Sequence, residues 1–263
     1  MYRVDVLIQG FPGKAVCHGG LGWSTVTLIR GGGKVMLLDV GAFGIRKELA
    51  KQLRAHGVAP DDVTDVVLTH AHYDHAVNFT LFPSATVWIG AQELAWAADQ
   101  PPGFDPLPEL YVRELRCSPR VRTVVAGDEF LPGLRTFAAP GHTPGHLIFL
   151  LDSVPVPMLF SGDAAKNRAE LLSREVDTTG DAQASRASID LIWRHWEAIP
   201  GTILVPGHDL SMVLGEDGRP RYLGERRAAI TAWFNESLSD ETAIDLCPEP
   251  HPALFNRLID TGN

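Results

Sequence analysis

Cysteine is scarce in this sequence: three occur among 263 residues, and none belongs to a Cys-x-x-Cys pair. They are widely spaced, at Cys17, Cys117 and Cys247. Their odd number and their spacing indicate neither a disulfide framework nor a thiolate zinc site. A reducing cytoplasm is therefore the location that we expect.

The chain also lacks long apolar runs and an excess of positive charge. No segment approaches the roughly 20 apolar residues of a membrane span, and the first residues, Met-Tyr-Arg-Val-Asp-Val, do not resemble a secretory leader. The formal net charge of −9 argues against a basic face for nucleic acid or an anionic membrane. We expect a small-molecule substrate and no nucleic-acid or membrane partner. The sequence does not determine the oligomeric state, and a homodimer is one possibility.

Histidine, in contrast, is concentrated in one short stretch. Residues 69–75 read Thr-His-Ala-His-Tyr-Asp-His, with three imidazoles and one carboxylate within six positions. They follow the apolar run 66–68, Val-Val-Leu, which predicts a buried strand. Four such side chains beside a core would cost desolvation free energy if nothing bound them. The stretch therefore indicates a metal site.

Three further residues of metal-ligand type share one setting, a glycine-flanked turn that follows an apolar strand. The complete candidate set is His70, His72, Asp74, His75, His142, Asp163 and His208. Five imidazoles and two carboxylates are too many for one four-coordinate ion, but they suit two ions. Imidazole and carboxylate without thiolate suit Zn²⁺, and Mn²⁺, Fe²⁺ or Co²⁺ also accept these ligands.

The order of these residues resembles that of the metallo-β-lactamase-fold hydrolases. The family signature His-x-His-x-Asp-His matches residues 70–75, and the resemblance extends from residue 4 to about residue 208. It implies an α+β fold, the αββα four-layer sandwich, which we expect as one domain over 1–263 with the site at one edge of the sheets. It also implies two sets of metal ligands. One ion would be held by His70, His72 and His142, and the other by Asp74, His75 and His208. Asp163 would bridge the two ions.

The resemblance further implies the chemistry. Two divalent metal ions would provide a metal-bound hydroxide that attacks the carbonyl of a small ester, lactone or amide. Asp74 would also carry a proton to the leaving group, and Asp39 and Thr69 would support the ligands from behind. His146 is then not a ligand, and we expect it to be structural because it begins a strand.

The branch of the family is less defined. Quorum-signal lactonases resemble the chain in the run 141–146, but they carry a tyrosine three positions after the bridging aspartate, where this chain has Lys166. Lys166 is a candidate for binding a substrate carboxylate or a developing oxyanion, and a solvated turn is an equal alternative. A mononuclear iron sulfur dioxygenase and a thioesterase of the glyoxalase II-like branch remain as alternative functions.

Two further segments affect the domain prediction. Residues 100–120 are rich in proline and look irregular, which favours a lid or pocket wall with Phe104 and Tyr111 as candidate substrate contacts. Residues 225–238 have helical spacing, and we therefore expect a helical C-terminal tail over about 222–263.

Overall fold

The computed structural model describes residues 1–247, and two six-stranded sheets form its centre. The first sheet contains β1 (Arg3–Ile8), β2 (Val26–Gly31), β3 (Lys34–Leu38), β4 (Asp65–Val67), β5 (Thr86–Gly90) and β6 (Val121–Val124). These strands are neighbours in sequence order. The first three are antiparallel, whereas β3 to β6 are parallel and are therefore joined by crossovers.

The second sheet is formed by the following part of the chain. It contains β7 (Leu134–Ala138), β8 (Leu147–Leu151), β9 (Met158–Gly162), β10 (Ile203–Pro206), β11 (Met212–Leu214) and β12 (Pro220–Tyr222). Its neighbours are again in sequence order, and only β9 and β10 pair in parallel. The 40 residues between these two strands form the crossover and carry most of the helical structure on this side.

Alternation along the strands separates the apolar residues into layers. On β8, Leu147, Phe149 and Leu151 belong to a core that both sheets share, while Ile148 and Leu150 belong to a core on the outer face. This follows from the two-residue period of a strand, which places successive side chains on opposite faces. Each sheet is apolar on both faces, and each outer face must therefore be covered by helices.

Helices cover both outer faces. They are α1 (Arg46–Ala55), α2 (Tyr73–Ala76), α3 (Ala91–Asp99), α4 (Glu109–Cys117), α5 (Arg168–Ser173) and α6 (Ala182–Ala198), with 3₁₀ turns at Phe43–Ile45, Pro60–Asp62, Val77–Leu81 and Asp163–Ala165. Leu49 of α1 and Val112 of α4 pack on the first sheet, and Leu171 of α5 and Ile189 of α6 pack on the second. The four layers confirm the predicted αββα sandwich.

The proline-rich segment 100–120 contains a helix that the sequence analysis does not predict. Val112 and Leu115, one turn apart on α4, are buried in the core of the first sheet. The prediction of an irregular segment is therefore wrong for residues 109–117. The prolines that suggest disorder flank the helix, with Pro108 directly before its first residue.

The C-terminal part of the described chain is a β-hairpin and not the predicted helix. Its strands are β13 (Ala229–Trp233) and β14 (Glu241–Asp245), with Ile230 opposite Ile244. Its β-branched and aromatic residues favour strands, although their spacing also fits a helix. Internal contacts divide the chain into two units, Met1–Leu223 and Gly224–Asn263, where the sequence predicts one domain. The helical tail predicted beyond residue 247 lies outside the described residues.

Within the described residues, none of the helices combines the length and the apolar character needed to cross a bilayer.

Candidate metal centre

The candidate ligands lie on loops that follow the carboxyl ends of strands. β4 leads into residues 69–75, while β7, β9 and β10 lead to His142, Asp163 and His208. The last three strands run in the same direction within the second sheet, and their loops therefore emerge at one edge of it. Ligand atoms within 4.8 Å of one another form three groups, which are His70, His72 and His142; His70, His75 and Asp163; and Asp74, His75 and His208.

The first of these groups, His70, His72 and His142, is called the imidazole triad below. His70 Nδ1 lies 3.0 Å from Thr69 Oγ1, whose own proton is donated to a carboxylate. The hydroxyl therefore accepts from Nδ1–H and leaves Nε2 of His70 free for a ligand. His142 donates from Nδ1 to the carbonyl oxygen of Thr178 at 2.9 Å, and its Nε2 lies 2.9 Å from His72 Nδ1.

The third group, Asp74, His75 and His208, is called the mixed triad. Asp74 Oδ2 lies 3.2 Å from His208 Nε2 and 3.7 Å from His75 Nε2. Behind it, Asp39 Oδ2 contacts His75 Nδ1 at 2.8 Å, and Asp39 also accepts from the N–H and the hydroxyl of Thr69, each at 2.9 Å. Asp39 adopts a positive φ of 51°, an uncommon conformation that is found at constrained positions.

Asp163 lies between the two triads. Its Oδ2 is 3.3 Å from His142 Nε2, while its Oδ1 is 3.2 Å from His75 Nε2 and 3.3 Å from His208 Nε2. The backbone N–H of Asp163 donates to His146 Nε2 at 3.0 Å. His146 is fully buried and therefore orients this residue from behind.

The two triads differ in charge. Burial, together with the neighbouring imidazoles, lowers the pKa of His72 to about 3, and burial lowers the pKa of His142 to about 4. Burial acts in the same direction on His208, but Asp163 and Asp74 outweigh it and raise the pKa of His208 to about 9. Burial also acts to lower the pKa of His75, but Asp163, Asp74 and Asp39 outweigh it and raise that pKa well above its usual value. At neutral pH the imidazole triad is therefore neutral, whereas both imidazoles of the mixed triad are protonated.

Asp74 is the anionic member of the mixed triad. Burial acts to raise the pKa of Asp74, but His75 and the hydrogen bond from His208 outweigh it and lower the pKa to about 2. Its side chain is 15% exposed. Asp74 is thus an ionised carboxylate at neutral pH with access to solvent.

The donor set fits divalent cations. Among the described residues, His70 Nε2 and Asp163 Oδ1 are buried without a hydrogen-bond partner. Buried polar atoms are normally satisfied, and two such orphans in one cluster indicate that something else occupies their lone pairs. Imidazole nitrogens and carboxylate oxygens in this number suit Zn²⁺ and related ions.

A cavity of about 700 Å³ opens onto the cluster. One wall is the glycine-rich loop between β1 and β2, which contributes Lys14 and His18. Tyr73 and the pair Asp105–Pro106 form part of another wall. The volume lies in the range of pockets that bind small molecules.

Lys166 lines this cavity and is paired with an acid. Its Nζ lies 2.9 Å from Glu170 Oε1 and donates to the carbonyl oxygen of Asp177 at 2.6 Å. Its side chain is 13% exposed, so the predicted alternative of a solvated turn does not describe its environment. Arg168, its neighbour, stacks on the ring of Tyr222.

Phe104 and Tyr111 are placed elsewhere, in contrast to their predicted role. Neither Phe104 nor Tyr111 is among the described residues that line the cavity. Phe104 packs edge-on against Trp96, and Tyr111 packs against Phe43 and Phe79. The helix formed by residues 109–117 turns the ring of Tyr111 into the layer that covers the first sheet, apart from the residues that line the cavity.

Glu93 is a site residue that the sequence analysis does not identify. It is fully buried in the first turn of α3 and accepts from the backbone N–H of Ala71 at 2.9 Å and from Thr143 Oγ1 at 2.6 Å. Burial raises the pKa of Glu93 to about 7 against the effect of these hydrogen bonds. A single acid in a helical pattern gives no sequence signal of this position.

The fold and the ligand cluster together define a class of protein, the metal-dependent hydrolases with a His/Asp site at the edge of an αββα sandwich. A family model described as the metallo-beta-lactamase superfamily matches residues 19–208. The chain belongs to this superfamily.

Relatives within the superfamily are distant. Metallo-beta-lactamase domain-containing protein 1 of Xenopus laevis is 26% identical over 213 residues, which is 79% of each protein. An N-acyl homoserine lactonase of a Bacillus species is 26% identical over 174 residues, 65% of this chain and 66% of that protein. The solved structure of AidC, a dizinc quorum-quenching lactonase in complex with a product, is similar with a TM-score of 0.63 at 18% identity, covering 86% and 92% of the two chains.

Proposed function

We propose that the chain binds two divalent metal ions and hydrolyses the carbonyl group of a small ester, lactone or amide. The imidazole triad would hold one ion, the mixed triad the other, and Asp163 would bridge them. The observation that carries this proposal is the placement of Asp163, whose two carboxylate oxygens face different triads at 3.2–3.3 Å. We propose Zn²⁺ as the native ion because imidazole dominates the donor set.

The chemistry divides between the ions and the side chains. When bound, the ions would supply a nucleophilic hydroxide at neutral pH and a Lewis acid for the substrate oxygen. Asp74 lines the cavity and is ionised, so it can take up a proton and pass it to the leaving group. His146 orients Asp163 by accepting a hydrogen bond from its backbone N–H. Asp39 orients His75 through its contact with Nδ1.

The substrate class is argued from the cavity and from the relatives. The Bacillus relative is named for an N-acyl homoserine lactone substrate, and the distant match brings lactones to this chain only as candidates. Lys166 supplies a cation to the cavity, and we propose that it binds the substrate's carboxylate or carbonyl oxygen. The ion pair between Lys166 and Glu170 would then open or share its proton donors when substrate enters.

The proposal is tested by metal analysis followed by a substrate panel. We expect about two zinc ions per purified chain, with hydrolysis of a lactone or ester by the zinc-loaded protein. Asp152, an exposed acid that pairs with Arg135, provides the control variant Asp152→Asn, which should retain both ions. One iron per chain with oxygen consumption in the presence of a persulfide would favour the sulfur dioxygenase instead, and hydrolysis of glutathione thioesters alone would favour the thioesterase. The cytoplasmic location and the homodimer stay predictions.

A further inference from the structure

Glu93 connects the two loops that supply the imidazole triad. Its Oε1 accepts from the N–H of Ala71 at 2.9 Å, and Ala71 lies between His70 and His72. Its Oε2 accepts from the hydroxyl of Thr143 at 2.6 Å, and Thr143 directly follows His142. One buried carboxylate therefore joins a loop of the first sheet to a loop of the second.

The packing around this carboxylate is tight. Oε2 also accepts from the N–H of Gly145 at 3.2 Å. A Cβ atom at Gly145 would lie 2.1 Å from the backbone nitrogen of Glu93, so only glycine permits the loop to approach α3 this closely. The position of the loop relative to α3 is thus fixed by three hydrogen bonds and by a backbone contact.

The mixed triad is supported by other residues. His75 is held by Asp39, and the backbone N–H of His208 donates to the carbonyl oxygen of Lys166 at 2.8 Å. The hydrogen bonds of Glu93 go to Ala71, Thr143 and Gly145, none of which adjoins a residue of the mixed triad. Asp39 contacts His75 directly and reaches His70 through the hydroxyl of Thr69, whereas the contacts of Glu93 reach the imidazole triad alone.

We infer that Glu93 is a positioning residue for the imidazole triad: it sets the distance between the loop of His70 and His72 and the loop of His142, and it thereby determines the affinity for one of the two ions. The inference rests on the proposed function, since it requires that both ions bind. Residues behind metal ligands commonly change metal affinity by about 10- to 100-fold when they are replaced. Glu93 acts on one ion because its contacts reach one triad.

The experiment uses Glu93→Gln in the full-length protein. Glutamine fills the same volume, but its amide nitrogen cannot accept a hydrogen bond from Thr143 or Gly145. Zinc release is measured against a competing chelator, with two release steps expected in the wild type. In Glu93→Gln one step should shift to a roughly 10- to 100-fold lower chelator concentration, and the other should not move. His72→Ala identifies the shifted step, because it removes a ligand from the imidazole triad alone.

Two further variants make the result specific. Asp65 is a fully buried acid at the other end of β4 that accepts from Trp88 Nε1 at 2.8 Å, and Asp65→Asn controls for the loss of any buried carboxylate. Thr143→Val removes one of the three donors and should move the same step by a smaller factor, while Thr143→Ser should restore it. If Glu93→Gln does not fold, the Thr143 pair decides.

The outcomes are distinct. A selective shift of one step, shared by Glu93→Gln and Thr143→Val but absent in Asp65→Asn, supports the inference. Release curves that stay at the wild-type position, or two steps that move equally, overturn it and leave the proposed function intact. A wild-type protein that binds fewer than two ions overturns the proposed function, and the inference with it.

Discussion

The imidazole triad and the mixed triad both contact Asp163, but they differ in charge and in exposure to solvent. His70, His72 and His142 have low pKa values and are neutral at pH 7. His208, in contrast, shares a proton with the acids around it. The imidazole triad can therefore bind a cation without releasing a proton, whereas the mixed triad must first lose the protons of His75 and His208.

Their exposure differs in the same sense. All three residues of the imidazole triad are buried, and so is His75, whereas the side chains of Asp74 and His208 are 15% and 12% exposed. The mixed triad thus faces the cavity with the charged groups that handle protons. We therefore expect that, of the two proposed ions, the one at the imidazole triad is held more firmly and the one at the mixed triad exchanges more easily, and the following predictions test that division.

The largest effect is expected at the residue that both triads share. Asp163→Asn removes the charge that faces His142 on one side and His208 on the other. We expect kcat to fall by at least about 1000-fold, which corresponds to about 4 kcal/mol of transition-state stabilisation. Steady-state kinetics on the best substrate of the panel measures this fall, and Asp152→Asn should match the wild type. A loss below tenfold would mean that Asp163 does not bridge the ions.

The second effect is a difference in the pH dependence of metal binding. A pKa of about 9 means that His208 is protonated at neutral pH, so a lower pH strengthens proton competition for the mixed triad. His72 and His142 have pKa values of about 3 and about 4 and hold no proton to displace. From pH 8 to pH 6 the affinity of the mixed triad should fall by at least about 100-fold, about tenfold per unit for each proton displaced from His208 and His75, while that of the imidazole triad stays constant. Chelator competition at each pH measures both, and parallel curves would contradict the division.

A third prediction mirrors the one for Glu93. Asp39→Asn removes the carboxylate that contacts His75 Nδ1, and asparagine tolerates the positive φ at this position. The ion of the mixed triad should bind roughly 10- to 100-fold more weakly. The other ion should weaken by a smaller factor, because Asp39 also accepts from Thr69, whose hydroxyl contacts His70 Nδ1. The same release assay compares Asp39→Asn with Glu93→Gln. If Glu93→Gln weakens the ion of the mixed triad as much as Asp39→Asn does, Glu93 does not act on the imidazole triad alone.

A smaller effect is expected for substrate binding. Lys166→Met keeps the aliphatic part of the side chain and removes the charge, so KM for a substrate with an anionic or carbonyl group should rise by about tenfold, the value of one charge-assisted hydrogen bond. Zinc content should not change. Lys51→Met, on the exposed face of α1 where Lys51 pairs with Glu48, is the matched control. An unchanged KM would assign Lys166 to the structural pair with Glu170 alone.

The smallest catalytic effect is expected for Tyr111, which lies outside the cavity lining. Tyr111→Ala removes ring contacts with Phe43 and Phe79 and should lower the free energy of unfolding by about 2 kcal/mol. KM and both zinc affinities should stay at wild-type values. Urea unfolding and kinetics check the two parts, and a raised KM would return the segment to the substrate site.

The clustering of the candidate ligands is predictable from the sequence because each of them follows a short apolar strand. Residues 66–68 and 203–206 are apolar runs that end in a polar turn, and strand ends of this kind meet at one edge of a sheet. The αββα fold follows from the same alternation and from the family signature. Local sequence patterns are sufficient here because each candidate ligand lies in a polar turn directly after an apolar run.

Other parts depend on contacts that local patterns do not contain. Helix α4 is not predicted because the prolines around it are typical of irregular segments. The spacing of apolar residues over 229–233 fits a helix as well as the strand that is observed. Glu93 is one of many acids in helical patterns, and its role appears only when Ala71 and Thr143 come together in space. Tertiary contacts decide all three cases.

The backbone passes from the first sheet to the second only once within the described chain, through residues 125–133. Everything before this crossing carries His70, His72, Asp74 and His75, and everything after it carries the remaining ligands, so neither part alone completes either triad. A chain cut at the crossing would yield two pieces that each expose one side of the shared core, and only their reunion would restore the two candidate triads.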